Sequence, residues 1–515
     1  MKNIIISGAS VLALAIAAPG LAQNVSTIDQ TGTSNGATVT QAGQNTSDID
    51  QNGMTNAATV DQDGTGGEST IAQTGNTNRA NTTQDTIDGL AEVEQTGNSN
   101  QSDITQTDEN AGGTLGVPGS DPEAFVTQTG NSNESTVSQT NSAVSFDLIA
   151  SVNQTGDGSK STVTQSASGA GSGDLNASVT QANGATSTVT QVASGASAIN
   201  QDAIIDQDGV NTSTVEQTFL LGNSNRYSAT VFQRGTGNES TVTQDDVLPA
   251  TGFQDERLSA TVSQTGDGNT STVNQLNKIA NASVTQSGNN NESEVMQNGS
   301  NFMSATVLQT GDDNFSKVDQ IGNTQTADIF QAGSNVRSTV NQTGGRSNAA
   351  YIDQLVGSDG SQSTVTQNGV GAVHQNNDVF VTQSAINNIS VATQTGFNSR
   401  AEITQSGAGN DSEVTQTGNV DLAPTAVSNR ATVNQTGTNG ESDVMQSGSL
   451  NDALLNQGGD DNLADVKQTG IGNDSDITQS GLSNDALVTQ NNNGNVSNIV
   501  QSGTGGSVTV TQGGM

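Results

Sequence analysis

QTGNSNESTVSQ, residues 128–139, is the stretch whose reading decides the fold. From Asn133 onward one kind of position recurs at every second residue: Asn133, Ser135, Val137 and Gln139, with the polar Glu134, Thr136 and Ser138 between them. A period of two is that of a strand, whose side chains point alternately to opposite faces. Upstream, Gln128-Thr129-Gly130 leads into Asn131-Ser132, and Gly and Asn tolerate the positive φ of tight turns. One turn and one short strand make a unit. The same unit is written QTGTSNGATVTQ at 30–41, QTGDGNTSTVNQ at 264–275 and QSGLSNDALVTQ at 479–490.

The units keep step. Gln51, Gln62, Gln73, Gln84, Gln95 and Gln106 are evenly spaced, and so is the run from Gln435 to Gln512. A sustained fixed period is the signature of a stacked array. Two residues before the Gln stands Val or Ile, as at Val39, Val60, Val137 and Val273; four before it the small residue alternates, Ala37, Ser47, Ala58, Ser69. The full repeat is therefore a pair of units, one rung with an Ala strand and a Ser strand. The expected fold class is all-β: a flattened two-sheet parallel β-solenoid of strand-turn-strand-turn rungs of about 22 residues. Roughly forty units give about twenty rungs and a stack on the order of 100 Å tall at a strand spacing of ~4.8 Å.

In this reading the inward ladder comprises Gln41, Gln51, Gln62, Gln73, Gln128, Gln139, Gln264, Gln275, Gln286, Gln479 and Gln490, with Asn35, Asn133 and Asn269, the Val residues above, and Gly32, Gly130 and Gly266 at the turns. Val is expected to face Ala or Ser across the core, and Asn to face Gln, filling a gap of about 10 Å between sheets. Stacked amides satisfy groups that would otherwise be costly to bury.

Composition alone points to disorder: of 515 residues 30% are hydrophobic and 2% aromatic, with no Trp and no Cys, so little apolar surface is available to offset chain entropy. Periodicity overturns that reading. The net charge of −38, from 51 acidic and 13 basic residues, argues against nucleic acid as a partner, which needs basic clusters. Lys2, the apolar run Ile4–Ala18 and the small residues of Gly20-Leu21-Ala22 read as a secretory signal peptide over 1–22, leaving 23–515 as the repeat solenoid. No later segment is apolar enough to be a membrane-spanning helix.

Insertions interrupt the rhythm near 107–123, 140–149, 166–176, 218–228, 245–259 and 417–429. Each follows a Ser strand and precedes an Ala strand, so all are expected as loops leaving one edge. Pro118, Pro122, Pro249 and Pro424 fall inside them, where no ladder hydrogen bond is required of the ring nitrogen. Between Gln191 and Gln217, and between Gln367 and Gln394, spacing does not fix the phase.

Sites of chemistry are sparse. His374 is the one histidine, and without Cys it gives metal or triad chemistry little to build on. Outward acid pairs such as Asp48/Asp50 and Glu92/Glu94 could in principle serve a glycosidase or bind Ca²⁺, but nothing marks one pair from another; repulsion that restrains lateral association is the favoured role. GAGSG at 169–173 lacks the Lys of a phosphate loop. Outward Thr-x-Thr pairs, Thr38/Thr40, Thr188/Thr190 and Thr364/Thr366, suggest ice binding only weakly, since acids interrupt them. No catalytic residue, metal site or cofactor is expected.

The unit resembles the curlin repeat of bacterial curli amyloid subunits, approximately Ser-x5-Gln-x-Gly-x-x-Asn-x-Ala-x3-Gln. Gln30, Gly32, Asn35, Ala37 and Gln41 stand at that spacing, and Gln264, Gly266, Asn269, Ser271 and Gln275 repeat it with Ser in the Ala slot. The likeness runs through nearly all of 23–515. It differs from typical curli subunits in its many rungs, in starting its repeats almost directly after the leader, and in the frequent Asn for the leading Ser. The resemblance implies a non-enzymatic subunit secreted by a Gram-negative bacterium, self-associating into cell-surface fibres of the biofilm matrix and aiding adhesion. It also implies a nucleator, periplasmic chaperones and an outer-membrane secretion pore as partners. The in-phase pattern through Val508, Val510 and Gln512, with no capping segment after it, is expected to leave an open strand edge that templates further strands. The alternatives are a soluble monomeric solenoid acting as an adhesin or ice binder and, last, a polysaccharide-active β-helix.

Overall fold

The computed structural model describes residues 23–108, 121–194, 199–219, 225–245, 256–277, 279–369, 376–418 and 429–513. The proposed leader, His374, Pro118, Pro249, Pro424 and the middles of the insertions at 107–123, 218–228, 245–259 and 417–429 lie outside the described residues. Every regular element described is a β-strand, and the chain divides into two compact units, Met1–Val262 and Ser263–Met515.

In the first unit, Val25–Thr33 pairs parallel with residues 46–54, matching Ile28 to Ile49, Gln30 to Gln51 and Gly32 to Gly53. The intervening strand pairs with its own successor, Ala37 to Ala58, Val39 to Val60 and Gln41 to Gln62. Alternate strands thus build two separate ladders, and like residue stands on like. The second unit repeats the scheme: Ser271, Val273 and Gln275 meet Ser293, Val295 and Gln297, while Ala282, Val284 and Gln286 meet Ala305, Val307 and Gln309. The result is a parallel β-solenoid.

The core follows the period. Ile49, Val60, Ile71 and Val93 are buried, each contributing up to about 2 kcal/mol relative to exposure. The hydrogen bond between Ser69 Oγ and Thr82 Oγ1, 2.7 Å, shows the slot four before one Gln facing the slot two before the other. The small residue does not stay with one ladder, however. Ser26, Ser47 and Ser69 are succeeded in register by Ala91 and Ala124, and Ala58 and Ala80 by Ser102 and Ser135. In the second unit Ala453 gives way to Ser475, and Ser442 to Ala464. The Ala strand and Ser strand of the sequence reading therefore exchange ladders. The exchange changes little in volume, because the two side chains differ by one small atom.

The turns also differ in detail from expectation. Gly32, Gly75 and Gly97 do have positive φ, but the second left-handed seat belongs to the residue before the buried Asn: Ser34, Thr55, Thr77, Ser99 and Ser132 have φ of 61°, 60°, 62°, 60° and 59°. Holding a non-glycine residue there costs about 1 kcal/mol. The seat turns the next residue, Asn, into the core, where its hydrogen bonds offset the cost.

Two insertions, 140–149 and 166–176, are strand rather than loop. Thr140 pairs with Ser166 and Ile149 with Asn176, with one register shift between Ala143 and Ser145. Gln128, Gln154, Gln181 and Gln207 are 26 or 27 residues apart, where regular rungs use 22. The stretch of open phase after Gln191 is another wide rung: Gln201 stacks between Leu175 and Tyr227, and Ala193 between Ala167 and Phe219. These rungs carry a small extra core that closes with the Phe219 and Tyr227 rings edge to face at 6.3 Å. Pro122 opens the strand Pro122–Asn131 and pairs with Leu148, a position where a missing N–H is tolerated.

Candidate assembly site: amide ladders and the outermost rungs

The inward glutamines form directional chains. In the first unit Gln41 Nε2 donates to Gln62 Oε1 at 2.7 Å, Gln62 to Gln84 at 2.7 Å and Gln84 to Gln106 at 2.8 Å; Gln51 donates to Gln73 at 2.7 Å and Gln128 to Gln154 at 2.8 Å. In the second unit Gln264 donates to Gln286 and Gln275 to Gln297, and farther along Gln479 donates to Gln501 and Gln490 to Gln512, both at 2.9 Å. The second amide hydrogen crosses the core: Gln62 reaches the carbonyl of Thr46 and Gln73 that of Ala57, each 3.1 Å away at the start of the facing strand. Gln thus faces the Asn end of its opposite number and ties the two ladders together.

The asparagines run a second chain. Asn56 Oδ1 accepts from the N–H of Asn78, and Asn78 Oδ1 from that of Asn100, both at 3.0 Å. Their Nδ2 groups donate to the Gly carbonyls of the next turn, Asn56 to Gly75 and Asn78 to Gly97, both at 2.9 Å. Asn35, Asn133 and Asn269 do the same with Gly53, Gly156 and Gly288. Val60, Val137 and Val273 are fully buried, and Val39, near the outermost rung, is half-buried. Gly32, Gly130 and Gly266 have φ of 116°, 121° and 112°.

Within each unit the bonds given above all run from an earlier Gln donor to a later Gln acceptor. The first described rung therefore offers the Oε1 of Gln30 and Gln41, and the last offers a hydrogen on the Nε2 of Gln501 and Gln512. Ile28, Gln30, Val508, Val510 and Gln512, the inward residues of Val25–Thr33 and Ser507–Gln512, are only half-buried and Ser26 is exposed, whereas their counterparts inside the stack are buried. The Curlin associated repeat model matches residues 375–407, 451–481 and 459–491. Over these stretches the chain carries curlin repeats. The curlin pattern of Gln, Gly and Asn continues outside the matched stretches with the same hydrogen bonds, as the run from Gln41 to Gln106 shows. No curated protein matches the chain.

The outward faces of the rungs carry acids in register. Glu413 stacks on Asp443 and Asp443 on Asp465, with Glu441 two residues away. Partial burial, then Asp465, Glu413 and Glu441, push the Asp443 carboxyl from 3.8 to about 6. The folded chain holds a proton here that the unfolded chain has released between those values, so stability falls as pH rises from 3.8 to about 6, and the penalty is complete above that. Asp443→Asn is expected to remove this fall. At a half-exposed site solvent screening leaves an effect on the order of 1 kcal/mol at pH 7.5. Hydrogen exchange of residues 411–470 at pH 5 and 7.5 measures it; equal pH dependence in both chains would refute the assignment. Among the described residues no group of three or more His, Asp or Glu side chains converges as a metal site would require.

Proposed function

We propose that this curlin-repeat solenoid is a secreted structural subunit, exported by a Gram-negative bacterium after removal of residues 1–22, that polymerises into cell-surface fibres of a biofilm matrix and aids adhesion. The observation that carries the reading is the directional amide chain. A second copy placed head to tail would set Gln30 and Gln41 Oε1 against Gln501 and Gln512 Nε2, and Asn24 N–H against Asn495 Oδ1, repeating the bond that Asn45 N–H makes to Asn24 Oδ1 at 3.0 Å. Each added copy then gains the same bonds as an internal rung, and an unpaired strand edge templates another strand. A nucleator, periplasmic chaperones and an outer-membrane pore are the partners this reading calls for.

The test uses chain freed of residues 1–22, incubated at neutral pH and followed by thioflavin fluorescence, sedimentation and fibre diffraction. Seeded growth with reflections near ~4.8 and ~10 Å is the expected result. A persistently monomeric β-rich chain at high concentration, seeds included, overturns it.

A further inference from the structure

We infer that one outward sheet face of the first unit, a grid of threonines, is a docking surface for a second copy of this chain, through which fibres associate side by side. The inference rests on the fibre reading above. Five successive strands of one ladder place Thr136, Thr162, Thr188, Thr214 and Thr241 in unbroken register. Beside them runs a second outward column, Ser138, Thr164, Thr190, Glu216 and Thr243. Nine of these ten positions are hydroxyl side chains, in a chain whose net charge is −38. At the margin Lys160 neutralises Glu134 at 3.1 Å.

Charge selects this face. Two copies of so acidic a chain repel wherever carboxylates line the approach, as they do at Glu413, Asp443 and Asp465. On the Thr grid the approach meets methyl and hydroxyl groups, with Glu216 the one carboxylate within the two columns and Glu239 flanking them. Identical columns of small side chains repeated in register can interdigitate as a dry zipper between sheets, each hydroxyl finding a partner hydroxyl. Size then sets the order of events. Five strands of about six residues present roughly 480 Å² per copy at ~4.8 Å between strands and ~3.3 Å per residue. A pair of copies buries about twice that, below the ~1,200 Å² at which stable interfaces begin, so monomers stay apart. A fibre repeats the patch once per copy, and the many weak contacts act together. Polymerisation therefore precedes bundling.

The experiment grows fibres from the wild type, Thr188→Glu, Thr188→Val and Glu216→Thr. It scores high-speed sedimentation and thioflavin signal for fibres, and low-speed sedimentation and electron micrographs for bundles. Thr188→Glu is expected to keep fibres and lose low-speed pelleting, Thr188→Val to keep both, and Glu216→Thr to bundle at lower concentration. Fibres of Thr188→Glu that bundle like wild type overturn the docking surface and leave the fibre reading standing. If no chain forms fibres, both fall, since single patches are too small to hold monomers together. If wild-type fibres stay single while the chain arrests ice-crystal growth and Thr188→Glu does not, the grid has another occupant and the inference fails.

Discussion

Replacing Gly75 by Ala is expected to split the first unit's ladder at its own rung. Gly75 has φ of 115°, a conformation that side chains other than glycine's adopt at a cost of about 1–3 kcal/mol. A Cβ there would also overlap the carbonyl oxygen of Gly97 in the next rung. Gly53 bears the same relation to Gly75, and Gly97 to Gly130, so the turn stacks by laying each carbonyl against the bare Cα of its neighbour. The oxygen cannot retreat, because Gly97 is held by the Asn78 amide at 2.9 Å. Strain and overlap together are expected to cost roughly 4 kcal/mol, concentrated in the rungs from Gly53 to Gly97. Gly36→Ala is the control: its Cβ would meet nothing within 4 Å, and it changes nothing beyond a few tenths of a kcal/mol. Hydrogen exchange resolved by peptide reads both, since stability in a stacked array is local. Protection of residues 46–97 unchanged in Gly75→Ala would show that the close carbonyl approach is not required.

Gln165→Glu is expected to be as damaging, by a different route. Gln165 is fully buried, and its Nε2 lies near three carbonyl oxygens: Gln191 Oε1 at 2.8 Å, Ile149 O at 3.0 Å and Leu175 O at 2.7 Å. Its own Oε1 accepts from Gln139 at 2.8 Å. A carboxylate of the same shape keeps that one bond and sets an unpaired negative oxygen against three acceptors. Stranding a buried charge costs about 3–5 kcal/mol. The defect should also be acid-sensitive: burial raises the new carboxyl's pKa, the folded state holds its proton, and stability is regained as pH falls through that value. Gln165→Met, which removes all polar atoms, should cost less than Glu at pH 7.5 and show no such recovery. Exchange protection of residues 134–191 measured at pH 5 and 7.5 separates the two. A Glu variant as stable as wild type at pH 7.5 would mean that the ladder is not the buried, dry chain described here.

Both expectations rest on residues that could be picked out from the sequence, because their spacing is what repeats. A strand's period of two is a property of one stretch of chain, so Gln139, Val137 and Asn133 declare a common face before anything is stacked. The fixed step between glutamines then forces like onto like, and the two ladders follow. The proposed export of the chain and its family resemblance were legible for the same reason, in local patterns.

What the sequence could not supply depends on contacts between rungs. The left-handed seat falls on Ser34 or Thr77 rather than on the Asn after it, because Asn is needed inside to bond the next Gly carbonyl. Ala and Ser exchange ladders after Ala80 and at Ala91, since the two side chains differ by one small atom and either fits the slot. The widened rungs from Gln128 to Gln233 break the spacing that sequence reading relies on, and Gln201, Phe219 and Tyr227 find their places only by stacking across 26 residues. The Thr grid reads as interrupted along the chain, where acids intervene between one strand and the next, and becomes continuous only when alternate strands are brought side by side. Composition and period determined that this chain stacks upon itself; the tertiary structure decided which faces that stacking leaves poor in charge, because register alone brings residues 26 or 27 apart into one column.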